Sequence, residues 1–452
     1  MNKYFIRSVV ACVAWALLSL FSSCSSEDYL NAIPDNSTAL VAVDAQALIG
    51  NNGSETVKEL LKIDDLADCG LDLSAKLYLF ETVDGNIGLS AKIADDKKLI
   101  KWFDGMSSKE GFCKTTSKYK DYQFTIIKDS WVAGFSDNAL VVMGPSLPTQ
   151  QQEVKQNIVK LLGQDADEGI KGTLMFDRLD SINAPVAFVA QAAALPEKFV
   201  APFTIGAPKD ADLSQVMIAA ELGSNDGNEI IIRGETFSFN AKVDKELKSS
   251  SEIFRPITGK YNANMSSGAV FGMFLNVEGA QFIKLLHNNK TFQALLVGMN
   301  TAIDMDNIIK SIDGDVVVVL PKFTKEMPEI QMCADLKSKT FLNDVGYWKQ
   351  SCPAGSKIVD WEKDSYYYSG GDMTFYFGVS EDMQFFSGSS ENEARNILNK
   401  AADPLSVNIQ ELIKGQRMAM VLNLDMLLRQ DGLGSLANSL LNGKSTIVYI
   451  MK

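Results

Sequence analysis

A chain of 452 residues that is 46% hydrophobic is long enough for more than one domain and too apolar for bulk disorder. Its 56 acids outnumber 43 bases, for a formal net charge of −13. The acids are spread along the chain. That argues against nucleic acid, whose binding rests on a basic footprint, and against a basic surface docking on anionic lipid.

The N-terminus reads as a signal. Lys3 and Arg7 precede an apolar run from Val9 to Phe21, too short to span a bilayer, and Ser22 and Ser23 then lead to Cys24. "LFSSC" resembles a bacterial lipobox, with Phe21 where the pattern prefers Leu. The resemblance implies cleavage before Cys24 and lipidation of its thiol; an ordinary secretory signal with an incidental cysteine is the alternative. Residues 1–23 are expected to be the lipoprotein signal peptide and 24–30 a lipidated tether. The partner implied is then a membrane, held through the N-terminal lipid. The location implied is the cell envelope, at the outer membrane, either periplasmic or surface-exposed.

Beyond the tether, "NSTALVAVDAQALI" (36–49) predicts a strand running into a helix, and "SETVKELLK" (54–62) continues helical. "AKLYLFETVDGNIGLSAKI" (75–93) predicts a hairpin around Asp84-Gly85, a favoured pair for a two-residue turn. "DDKKLIKWF" (95–103) has helical spacing. "YQFTIIKDSWVAGFSDNALVVMG" (122–144) predicts three short strands. The amphipathic segment from Thr149 predicts a helix with Thr149 and Gln152 as its capping box. "PVAFVAQAAAL" (185–195) is again strand into helix, and residues 215–239 form a second hairpin. A polar stretch rich in lysine and serine follows.

The order then restarts. "SGAVFGMFLNVEGAQFIKLL" (267–286) is strand into helix, and "GDVVVVL" (314–320) matches "AKLYLF". "MTFYFGVSEDMQFFSGSS" (373–390) matches "SWVAGFSDNALVVMGPS", setting Gly134 on Gly378 and Gly144 on Gly388. That alignment expects Val141 and Met143 to face as Phe385 and Ser387 do. Ser390 and Glu393 form another capping box. The expected fold is α+β: two tandem, duplicated modules of mostly antiparallel sheet with helices packed on it, the second shortened at its C-terminus. Residues 31–239 would be the first module, 240–261 a linker and 262–452 the second module.

"AIPDNSTALVAVDAQALIG", "FRPITGKYNANMSSGAVFGMFLNVEGAQFIKLL" and the lipobox together resemble a family of uncharacterised lipoproteins of gut Bacteroidota, known only as a domain of unknown function. The resemblance implies an envelope lipoprotein and brings no active site with it.

Chemistry is thinly signalled. One histidine, His287, at the end of a predicted helix leaves little room for Ser-His-Asp or Cys-His mechanisms and excludes multi-histidine metal centres. It reads as a capping or surface residue. No phosphate-binding or nucleophile-elbow motif occurs, so no catalytic residue, metal ligand or cofactor site is assigned. The acidic turns "SNDGNE" (224–229) and "SIDGD" (311–315) lack EF-hand spacing and read as turns. Cys69, Cys113, Cys333 and Cys352 read as buried thiols, with Cys69–Cys113 and Cys333–Cys352 as possible disulfides.

Trp361, Tyr366, Tyr367 and Tyr368, in "DWEKDSYYYSGGDMTFYFG", are the candidate ligand-facing aromatics. Alternation puts Tyr366 and Tyr368 on one face and Tyr367 on the other. Packing aromatics is the competing reading. The function expected is that of a non-enzymatic binding or scaffolding lipoprotein with an unknown protein or glycan partner. A surface glycan-binding protein and a carboxylate-based hydrolase are the alternatives.

Overall fold

The computed structural model describes residues 27–47, 66–195, 197–224, 229–300, 303–322, 329–370, 373–423 and 446–451. Cys24, the segment 54–62 and most of the turn 224–229 lie outside these. The chain divides into two compact units after Ser181. Both mix helices with mostly antiparallel sheet, as the patterning expects.

In the first unit, strands β1 (Ala39–Val43), β2 (Leu77–Glu81), β3 (Ile87–Lys92), β4 (Ser117–Tyr119), β5 (Tyr122–Ile127), β6 (Trp131–Phe135) and β7 (Ala139–Gly144) pair in the order β1-β2-β3-β7-β6-β5-β4. Every one of these pairs is antiparallel. The β2–β3 turn is longer than two residues. Thr82 N–H donates to Asn86 O (2.9 Å), which leaves Val83-Asp84-Gly85 as the loop, and Gly85 takes the left-handed φ of +77° that such a loop needs.

Helix α1 (Asp96–Glu110) starts where Asp95 accepts from Lys98 N–H, and it stops at the left-handed Gly111. Its Leu99, Phe103 and Met106, spaced as one helix face, pack on Ala91, Ala133, Phe135 and Leu140. Helix α2 (Gln151–Leu162) buries Val154, Ile158 and Leu161 and packs on β6 and β7. The expected Thr149–Gln152 capping box does not form. The helix begins later, and Gln150 turns its side chain back to accept from Leu147 N–H (3.1 Å). A third helix, α3 (Leu174–Asp180), is capped by Thr173.

The second unit holds β8 (Val186–Gln191), β9 (Met217–Ser224), β10 (Glu229–Phe237), β11 (Phe271–Glu278), β12 (Ile312–Leu320) and β13 (Gln331–Leu336). It continues with β14 (Ser356–Glu362), β15 (Ser365–Gly370), β16 (Met373–Val379), β17 (Gln384–Gly388), β18 (Met418–Asn423) and β19 (Thr446–Met451). Their order is β8-β9-β10-β19-β18-β11-β12-β13-β17-β16-β15-β14, antiparallel throughout except for the parallel β10–β19 pair.

Helices in this unit are α4 (Glu197–Phe203), α5 (Ala241–Ser251), α6 (Gly279–Asn288), α7 (Lys290–Asn300), α8 (Met305–Lys310), α9 (Val345–Ser351), α10 (Glu391–Asn396) and α11 (Val407–Ile413). The stretch read as a linker thus carries α5, capped by Asn240 and anchored by Val243 and Leu247. Phe282, Ile308 and Trp348, from α6, α8 and α9, pack with Phe377 and Phe385 in one core. Ala394 and Ile409, from α10 and α11, pack with Val317, Cys333 and Phe386 in another. Adjacent residues such as Phe385 and Phe386 serve different cores because strand side chains alternate. Ser390 and Glu393 form the expected capping box of α10.

One expected register is off by a residue. Gly134 lies opposite Val141, whereas Gly378 lies opposite Phe386. The turn between paired strand ends spans 136–139 in one hairpin and 380–384 in the other, so it is Phe386, and not Phe385, that stands opposite Gly378 as Val141 stands opposite Gly134. The added turn residue inverts the faces expected for Phe385 and Ser387.

The thiols of Cys69, Cys113, Cys333 and Cys352 are not joined in disulfides. Burial pushes the Cys333 thiol well above its ordinary pKa, which suits a small core residue rather than a nucleophile.

Candidate functional site

The predicted aromatic residues gather on β14, β15 and β16, and the sheet sorts them by face. Ile358 pairs with Tyr368, Val359 with Tyr367 and Asp360 with Tyr366. Tyr368 is 6% exposed within the core beside α9, and its hydroxyl donates to Ser356 Oγ (2.9 Å). It is therefore a packing residue and not a ligand-facing one. Tyr366, on the same face, packs on Phe377 with the Lys349 ammonium over its ring. Burial, followed by the nearby Asp360 and Asp364 carboxylates, raises its phenol pKa.

Tyr367 and Trp361 belong to the opposite face. Tyr367 stacks on its cross-strand partner Tyr376 with ring centroids 5.4 Å apart and planes at 29°. Trp361 meets Tyr376 edge-on at 5.0 Å. A register shift between Asp360 and Glu362 makes Trp361 the bulged residue. All three rings are half-buried, so each presents part of its surface to solvent. Val359 extends the row to the outer strand β14. One step along the strands, Lys357, Ser369 and Thr374 form a parallel polar row on the same face.

The far end of the row is fixed by charge. The Arg395 guanidinium lies 4.5 Å from the Trp361 ring centroid and pairs with Glu362 (2.8 Å) and Glu391 (2.9 Å). This cation–π contact with two carboxylates holds the indole in one orientation. Tyr376 was part of the quoted aromatic stretch, but pairing is what places it between Tyr367 and Trp361.

The acidic turn at residues 311–315 is tied into the fold through its carboxylates. "SIDGD" enters β12, where Gly314 adopts a φ of +151° beside an irregularity in the β12–β13 register. Asp315 turns inward and accepts from the N–H groups of Thr258, Gly259 and Lys260, the Thr258 hydroxyl and the Asn276 amide. Asp313 pairs with Arg255, and Asp335 accepts from Lys260 Nζ and faces the Tyr261 hydroxyl at 2.9 Å. These acids anchor the segment 255–261, and each already has protein partners. Among the described residues, no group of three or more His, Cys, Asp or Glu side chains is placed to hold a metal.

His287 closes α6, with Nε2 2.9 Å from Asp306 Oδ2, while Asn300 donates to the other oxygen of that carboxylate. The pair ties α6 to α8 at the surface.

A family model described as "Domain of unknown function (DUF4836)" matches residues 30–425. No curated protein matches the chain. A solved structure titled "Structure of crystal form IV of TP0453" aligns at 9% identity over 45% of this chain and 77% of that chain, with a TM-score of 0.29.

Proposed function

Since the chain belongs to the DUF4836 family, a domain of unknown function, and the family brings no substrate with it, we propose the reading that the chain's own surface supports. The protein is a non-enzymatic binding protein of the cell envelope. It is tethered through lipid on Cys24, and it takes sugar rings on the outer face of β14–β16. The observation that carries this is the half-exposed row Tyr367–Tyr376–Trp361 beside the polar row Lys357–Ser369–Thr374. A pyranose has an apolar C–H face and a rim of hydroxyls. Aromatic rings match the first, and hydroxyl and ammonium groups match the second.

Electrophoresis of the purified full-length protein through gels containing neutral and acidic polysaccharides tests it. Retardation is expected in at least one of them, and Tyr367→Ala should abolish it with little change in melting temperature. Unretarded migration in every gel, or a Tyr367→Ala protein retarded like the wild type, would overturn the assignment. The tether has its own test: palmitate should label the wild type and not Cys24→Ala.

The duplication belongs to the same proposal. The orders β1-β2-β3-β7-β6-β5-β4 and β11-β12-β13-β17-β16-β15-β14 match strand for strand, and α1 and α2 fall in the same places as α9 and α10. Superposing the two sets of strands in a crystal structure tests it, with Gly134 expected on Gly378. Landing on different strands would refute it.

A further inference from the structure

A pocket of about 570 Å³ opens on the second unit, on the same sheet face as the aromatic row but along a different edge of α10 and the turn after it. It lies within the size range of small-molecule sites. Its floor is the buried trio Ala269, Val319 and Ile397. Its wall includes the exposed Lys322 and Lys400, and neither ammonium has an ion-pair partner among the described residues. The acid on the lining, Asp403, receives the Ser267 hydroxyl on one carboxylate oxygen (2.6 Å). Two unpaired cations against one partly satisfied acid leave the lining positive, in a protein whose net charge is −13.

The amides on the wall are half-used in a consistent way. Asn396 Nδ2 donates to Asn392 Oδ1 (2.9 Å), and Asn399 Nδ2 donates to Arg395 O (3.1 Å). Each amino group has given one of its two protons, so the free amide oxygen and the remaining N–H can together meet a ligand hydroxyl, which both donates and accepts. Ser266 adds a hydroxyl, which already accepts from Gly268 N–H and still has its proton to give. The complement of these groups is a molecule with a carboxylate for the lysines, hydroxyl donors for the amide oxygens and a C–H face for the alanine and isoleucine floor.

We propose that this pocket binds a hydroxylated carboxylic acid of the sugar-acid class, with Lys322 and Lys400 holding its carboxylate. The site is separate from the Tyr367–Tyr376 row, and its assignment stands or falls independently of that row.

Titration calorimetry on the full-length protein, with glucuronate as probe and glucose and acetate as controls, tests it. Glucuronate should bind at least about tenfold more tightly than either control, because each lacks one half of the complement. The double variant Lys322→Gln/Lys400→Gln should lose about tenfold or more in affinity. Its melting temperature should stay close to wild type, since both side chains are exposed. Lys118→Gln, an exposed residue on β4 of the first unit that belongs to neither site, should bind glucuronate as the wild type does. No detectable binding of glucuronate would overturn the proposal. So would equal binding of acetate, or a double variant with wild-type affinity.

Discussion

Thr258 grips Asp315 twice: its backbone N–H donates to one carboxylate oxygen at 2.9 Å and its hydroxyl to the other at 2.7 Å. Asp315 is 2% exposed, and its remaining partners are the Gly259 and Lys260 N–H groups and the Asn276 amide. A carboxylate is tolerated there because donors surround it.

Asp315→Ala leaves those donors buried without an acceptor, and each unmet donor costs about 1–3 kcal/mol. The variant is expected to lose at least about 3 kcal/mol. Asp315→Asn keeps one acceptor oxygen and should lose less. Urea unfolding of both checks this, and equal midpoints for the wild type and Asp315→Ala would refute the anchoring role.

Acid should weaken the Asp72–Lys92 contact. The Lys92 ammonium, 2.8 Å away, is the main cause that holds the Asp72 carboxyl below its usual pKa, with help from Ser74. A carboxyl depressed in the folded state stabilises the fold above its unfolded pKa, near 4. That contribution disappears as pH falls from there through the folded value. Asp72→Asn should therefore destabilise the protein at neutral pH and flatten the loss of stability across this acid window. Melting curves from neutral pH to about pH 3 read this directly.

His287 is expected to be dispensable. Its imidazole is 45% exposed beside Asp306, and exposed ion pairs contribute about 0–1 kcal/mol. His287→Gln should keep binding unchanged and shift stability by less than about 1 kcal/mol. A larger loss in calorimetry would mean that the α6–α8 clip matters to the fold.

Local patterns in the sequence carried much of this fold. The alternation in "YQFTIIKDSWVAGF" and "MTFYFGVSEDMQFF" gives strands where the structure has them, and Ser390 and Glu393 cap α10 as their spacing predicts. The split of Tyr366 and Tyr368 from Tyr367 also follows from alternation alone. What was not legible depends on distant partners or on single-residue geometry. Thr258 and Asp315 are 57 residues apart, and no local pattern links them. The extra turn residue after Val379 reverses which phenylalanine faces which helix. Which tyrosine face is core was undecidable until α9 and α10 were placed on opposite sides of the sheet. The pocket walls come from four separate segments, so they have no sequence signature.

The two tyrosine faces predict opposite phenotypes. Tyr368→Ala removes a buried ring and should cost about 3–5 kcal/mol, the range for large aromatic truncations in cores. Tyr367→Ala removes a half-exposed ring and should cost distinctly less. Thermal melts of the pair decide it, and comparable losses would place both rings in core packing.

Gly134 and Gly378 give the most direct test of the matched hairpins. A Cβ on Gly134 would lie 2.4 Å from Phe124 Cε1 and 2.6 Å from Ile158 Cγ2, so it collides with the α2 side of the sheet. A Cβ on Gly378 would lie 2.4 Å from Ser365 Oγ and 2.7 Å from Phe386 Cζ. Neither glycine has a positive φ, so the demand is for space and not for backbone conformation. The space at Gly134 is filled by its β5 partner Phe124 and by Ile158 of α2, and the space at Gly378 by its two cross-strand partners, Ser365 and Phe386. Overpacking of this kind typically costs about 1–3 kcal/mol. Gly134→Ala and Gly378→Ala should each lower stability by that amount, whereas Gly105→Ala, with open space around its Cβ position in α1, should be neutral or slightly stabilising. Chemical denaturation of the three variants measures it. A neutral result at Gly134 or Gly378 would mean that the hairpin tolerates a side chain there, and the steric reason for matching glycines would fail.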